Sequence, residues 1–108
     1  MTSTPTAQRL ILDRGLTACE CCGNELDRCE AHHCLYKKGR KKAKKLLDMD
    51  YNLQVVCYSC HHGTGLADGY ENRVRFWGMQ CYRYTKAVML NWHNEIPYKR
   101  ESKEFAYR

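Results

Sequence analysis

Two CxxC pairs, Cys19/Cys22 and Cys57/Cys60, with 34 residues between them, constrain this chain more than any other feature. Each pair can bend as a tight turn that brings both sulfurs to one point, and four thiolates so spaced predict one tetrahedral zinc site. Such a site ties together the ends of a segment too short to hold itself by burial alone. Four sulfurs fill the ion's shell and leave no open position. This metal is therefore expected to be structural, and any chemistry lies elsewhere.

The other use of eight cysteines in a short chain is a disulfide framework, which belongs to secreted proteins. Met1 to Ala7 is polar, and Leu10-Ile11-Leu12 is far short of a signal-peptide core. No stretch has the length needed to span a bilayer. The expectation is a protein of the reducing cytoplasm with no membrane contact. The 108 residues leave room for one domain. Hydrophobic residues make up 44%, but eight Tyr and eight Cys are among them, so the aliphatic core is thin and a metal staple matters more. A net charge of +6 favours a polyanionic partner.

Thr4 and Pro5 read as the cap and first residue of a short helix that Gly15 stops in the left-handed region. After the first CxxC turn, Gly23-Asn24-Glu25 carries turn chemistry, and Arg28 to Leu35 reads as a strand bearing the doublet His32-His33. Neighbours on a strand point to opposite faces. If the strand bends or ends at the doublet, one ring can bind a metal while the other reaches a substrate. Leu53 to Val56 reads as a second strand, antiparallel to the first. His61 and His62 should then begin a short helix that Gly63 and Gly65 end or kink.

Between the strands, seven of nine residues are basic: Lys37, Lys38, Arg40, Lys41, Lys42, Lys44 and Lys45. A charge run alone is a solvated loop. Placed between the histidines and the second CxxC turn, it is expected to contact phosphates, which relieve its self-repulsion. From Asp68 the period changes. Asp68 caps and Glu71 follows three residues later, and Tyr70, Val74, Trp77, Cys81, Tyr84 and Val88 form one apolar stripe. That pattern predicts a helix of roughly 25 residues ending near Ile96-Pro97, weakened by about 1 kcal/mol at Gly78. The stripe reads first as packing within the chain and second as a homodimer seam. The charged tail from Tyr98 to Arg108 is expected to be loosely ordered.

Cys19-Glu20-Cys21-Cys22-Gly23, the doublet His32-His33, and Asn52-Leu53-Gln54-Val55-Val56-Cys57-Tyr58-Ser59-Cys60-His61 stand in the order seen in HNH endonucleases, also called ββα-metal nucleases. The chain resembles that family over about residues 18 to 62. The resemblance implies an α+β fold: a small ββα-metal module stapled by zinc, with a short N-terminal helix and a long C-terminal helix. The core motif would span residues 18–66 and the helical extension 68–96, within one domain of residues 1–108. The implied activity is metal-dependent hydrolysis of phosphodiester bonds in DNA, double-stranded by expectation. His32 and His61 would hold the catalytic divalent ion. His33 would be the general base, and Asn52 would brace the loop between the strands so that His33 faces the scissile phosphate. Cys19, Cys22, Cys57 and Cys60 would hold the structural zinc. His62 could replace His61 as ligand, and only the family pattern selects His61. A solitary motif in a small protein is associated with phage and mobile elements, hence with the cytoplasm of a prokaryotic host.

The chemistry agrees with those roles. An imidazole with a pKa near ~6.5 can accept a proton from water at physiological pH. Two side-chain ligands leave an ion open positions for a phosphate oxygen and a water. A His/His pair suits Mn²⁺, Ni²⁺, Co²⁺ or Zn²⁺ at least as well as Mg²⁺. The chain departs from some relatives at Gly65, where they carry a third ligand, so a weaker two-ligand site is expected. Cys21, Cys29, Cys34 and Cys81 read as small buried hydrophobes, with Cys21 also a competitor for zinc. Two other functions fit these residues. One is a non-catalytic zinc module that binds nucleic acid or protein through the lysine loop. The other is a branched-DNA resolvase of the endonuclease VII type, which shares the paired CxxC framework; Asn52 before the second CxxC turn and His61 after it fit the HNH pattern better.

Overall fold

Thr4 starts the first helix, its Oγ1 accepting the Ala7 N–H at 3.3 Å, and Gly15 stops it at φ 62°. This helix, α1, spans Pro5–Arg14 in a computed structural model that describes residues 3–37, 43–98 and 104–106. It buries Ala7 and Leu10 in an apolar cluster with Cys29, Val55 and Val56. The strands β1 (Glu30–His33) and β2 (Leu53–Val56) pair antiparallel, with His32 opposite Gln54 and His33 opposite Leu53.

β1 is shorter than the expected run from Arg28 to Leu35, for reasons at both ends. Arg28 takes φ 46°, a left-handed conformation that no strand continues through. Beyond His33, the N–H groups of Leu35 and Tyr36 bond to the Asn52 side chain at 3.0 and 2.8 Å instead of to a strand partner. A single helical turn, α2 (Lys44–Leu47), lies between the strands. After β2 the chain makes a π turn over Ser59–Gly63, wider than the short helix expected there, and a 3₁₀ turn over Leu66–Asp68.

The expected long C-terminal helix is two helices. α3 spans Tyr70–Tyr84 and α4 spans Lys86–Glu95, with the break at Thr85, φ 83° and ψ 149°. Gly69, not Asp68, stands at the N-cap of α3, and Gly78 lies within it without ending it. The rings of Trp77 and His93 lie 5.3 Å apart. In one continuous helix, 16 residues of separation would put them about 24 Å apart. The break folds α4 back along α3, and burying both aromatic faces outweighs one unfavourable backbone conformation. Tyr70, Val74, Trp77, Cys81 and Tyr84 of the stripe all join the resulting second apolar cluster. Phe105 closes it, 2% exposed, with its ring 5.4 Å from Tyr36 and 5.6 Å from Trp77. The tail is thus anchored at 104–106, contrary to a loose tail there; residues 99–103, 107 and 108 lie outside the described residues.

Glu20, inside the first CxxC turn, clasps these parts together. Its carboxylate pairs with Arg14 at 2.7 Å and Arg83 at 2.9 Å, and accepts the Val55 N–H at 2.9 Å. Arg14 and Glu20 are almost wholly buried. Removing one partner of such a pair leaves an uncompensated charge and costs about 3–5 kcal/mol. Among the described residues, no helix is long and apolar enough to cross a membrane.

Candidate metal centre and histidine cluster

The two CxxC turns meet. The sulfurs of Cys19, Cys22, Cys57 and Cys60 all lie within 4.8 Å of one another, with Cys19–Cys60 at 3.9 Å and Cys22–Cys57 at 3.8 Å. A tetrahedral ion with metal–sulfur bonds of about 2.3 Å sets its sulfurs about 3.8 Å apart, so these four could hold one structural ion. The backbone supports negative charge there. The N–H groups of Cys21 and Cys57 point at the Cys19 sulfur at 3.4 and 3.2 Å, and that of Asn24 at Cys22 at 3.4 Å. Burial opposes ionisation of Cys19, but hydrogen bonds from the backbone of Cys22, Cys57 and Cys21 prevail and bring it to about 7. Cys21, Cys29 and Cys34 are buried outside this cluster, and burial pushes each of their thiols up.

Four of the five histidines lie on β1 and the π turn. His32 is buried on β1, and its Nε2 bonds to the Ala67 carbonyl at 2.9 Å. Burial lowers its pKa and so favours the neutral ring. The Ala67 carbonyl also accepts from Asn72 Nδ2 at 3.0 Å, and Asn72 exchanges hydrogen bonds with Gln54 at 2.7 and 2.9 Å. His33 ends β1, its Nε2 bonded to Asp48 Oδ1 at 2.9 Å. His61 follows Cys60 in the π turn, its ring 5.2 Å from that of His32. A hollow of about 350 Å³ is bordered by Ala31, His32, His33, Lys37 and His61. His62 is not on that border; its Nε2 lies 2.6 Å from Glu30 Oε1.

Asn52 is fully buried and uses its whole hydrogen-bonding capacity to tie the turn after β1 to the end of α2. Its Oδ1 accepts from Leu35 and Tyr36, and its Nδ2 donates to the carbonyls of Tyr36 and Leu47, both at 2.9 Å. It thereby fixes where β1 ends and Lys37 begins its course. Of the basic run, Lys37 borders the hollow, Lys44 pairs with Asp48 at 2.5 Å and Lys45 is exposed. Lys38, Arg40, Lys41 and Lys42 lie outside the described residues.

Sequence reasoning missed Asp48, Glu30, Asn72 and Gln54. Asp48 meets His33, and Glu30 meets His61 and His62, only through the fold, and Asn72 and Gln54 had no motif to mark them. Burial raises Glu30, but its contacts with His62 and His61 prevail and hold it below the usual carboxylate range. Asp48 is held low by Lys44 and then by His33. The chain has no match among known protein families, curated proteins or solved structures.

Proposed function

We propose that the chain is a metal-dependent endonuclease of the HNH type that hydrolyses phosphodiester bonds in DNA. The observation that carries this reading is the meeting of His32, His33, His61 and Lys37 around one hollow, beside four thiols suited to a structural zinc ion. His33 directs Nε2–H at Asp48, which leaves Nδ1 with the lone pair. That nitrogen takes a proton from water as the water oxygen attacks phosphorus and the bond to the leaving oxygen breaks. His32 directs Nε2–H at the Ala67 carbonyl, so its Nδ1 is the atom that can ligate, alongside His61. A divalent ion at that pair would supply charge to the phosphate and to the leaving oxygen. Lys37 offers an ammonium group to the same phosphate, and Asn52 holds the turn that positions it. Two imidazoles favour Mn²⁺, Ni²⁺, Co²⁺ or Zn²⁺ over Mg²⁺.

The test is cleavage of supercoiled, linear and four-way-junction DNA across a metal series. His33→Ala should lower the rate by about 10²- to 10⁴-fold with the circular dichroism spectrum unchanged. Equal rates for wild type and variant, or DNA binding without cleavage under any metal, would remove the assignment. A strong preference for the junction would move it to a branched-DNA resolvase.

A further inference from the structure

We propose that Glu30, His61 and His62 form a second cation site that takes a transition ion such as Zn²⁺ or Ni²⁺ in preference to Mg²⁺. The donor atoms of these three residues all lie within 4.8 Å of one another. Glu30 Oε1 is 2.6 Å from His62 Nε2 and 3.4 Å from His61 Nδ1. An ion bound at about 2.0–2.1 Å to nitrogen and oxygen in tetrahedral geometry spaces its ligands about 3.3 Å apart. Small side-chain rotations therefore convert the present contacts into coordination. One further observation points the same way: His61 Nδ1 is buried and makes no hydrogen bond, although Glu30 Oε1 lies 3.4 Å away. A buried ring nitrogen left so is unfavourable, and an ion bonded to Glu30 would relieve it.

The backbone explains how the three residues meet. Glu30 and His32 are two apart on β1 and share a face. The π turn crosses that face and sets the rings of His61 and His62 4.5 Å apart. Wide turns of this kind recur at functional sites. His61 thus stands within reach of His32 on one side and Glu30 on the other. An ion on Glu30, His61 and His62 withdraws His61 from the hollow, so the two sites compete for one imidazole. Two imidazoles and one carboxylate suit borderline ions, and Mg²⁺, which demands oxygen ligands, is a poor occupant. The site stands on Glu30 and His62, neither of which the nuclease reading uses.

The experiment is calorimetric titration of protein already carrying one zinc ion, with ZnCl₂ and separately with NiCl₂ and MgCl₂. Wild type should bind one further equivalent of Zn²⁺ or Ni²⁺, with Mg²⁺ at least tenfold weaker. Glu30→Gln and His62→Ala should each weaken the Zn²⁺ equivalent by tenfold or more, while His32→Ala leaves it in place. Both altered side chains are partly exposed, and retention of the first zinc reports that each variant folds. Absence of a further equivalent overturns the proposal. So does an equivalent that His32→Ala abolishes and His62→Ala spares, which would locate the ion at His32 and His61 and leave the nuclease reading standing.

Discussion

His33 Nε2 donates to Asp48 Oδ1 at 2.9 Å, across 15 residues of sequence that contain the basic run. Asp48 also receives Lys44 Nζ at 2.5 Å, so its carboxylate is held ionised while it orients the imidazole. The orientation matters because only a lone pair on the opposite nitrogen can take a proton from water. Asp48→Asn keeps the shape and removes the charge. On the proposed nuclease reading, the variant is expected to fold normally and to cut DNA about 10- to 100-fold more slowly, the range known for carboxylates that orient metal-bound histidines. Steady-state kinetics on a short duplex check this: kcat should fall while KM holds.

Asn52→Ala strips the partners from two buried N–H groups and two buried carbonyls at once. Each unsatisfied group costs about 1–3 kcal/mol, so the variant should lose at least ~4 kcal/mol. Urea unfolding reads the loss, and Leu53→Val, a change confined to side-chain volume, should cost about 1 kcal/mol beside it.

Cys57→Ser removes one of four sulfurs that lie within 4.8 Å of one another. A structural zinc contributes about 10–16 kcal/mol in small metal-dependent folds, more than a domain of this size has in reserve. The expected outcome is loss of bound zinc and of native circular dichroism together. A native-like spectrum in the zinc-free variant would show that burial alone holds the fold.

Thr85 joins α3 to α4 at φ 83°, where a β-branched residue is strained, and its Oγ1 accepts the Val88 N–H at 3.3 Å. Glycine relieves the strain and costs only a few tenths of a kcal/mol as a cap. Thr85→Gly should therefore raise stability by about 1 kcal/mol, and Thr85→Ala, which keeps the strain and loses the cap, should lower it by about 1 kcal/mol. Thermal melts of the two variants should therefore shift in opposite directions.

Burial lowers the pKa of His32, so below about pH 6.5 the unfolded chain binds a proton that the folded ring resists. Proton uptake by the unfolded state makes stability fall as pH drops from about 6.5 toward the lowered folded value, and this contribution is fully present above 6.5. His32→Gln has no titrating ring. The stability difference between wild type and His32→Gln, measured by urea unfolding of zinc-loaded protein from pH 8 to 5.5, should shift against wild type as pH falls.

The helix ends and the cysteine turns were legible because their causes are local. Thr4, Pro5 and Gly15 act within one or two turns of backbone, and a CxxC pair brings its own sulfurs together whatever surrounds it. The strand pairing also followed from short-range pattern, although Arg28 and Asn52 trimmed β1 at its ends. The break at Thr85 was not legible. The apolar stripe keeps its period through residue 84 and resumes at Val88, and no glycine or proline marks the reversal.

By itself the sequence determined which residues are able to ligate, to ionise and to stop a helix, since those properties belong to single side chains and their neighbours. Only the tertiary structure decided who their partners are: Asp48 for His33, the Ala67 carbonyl for His32, Glu30 for His62 and Glu20 for two arginines. Such pairings depend on distances between segments far apart in the chain. Those distances are set by how two strands, a π turn and a folded-back helix pair bury their apolar faces together.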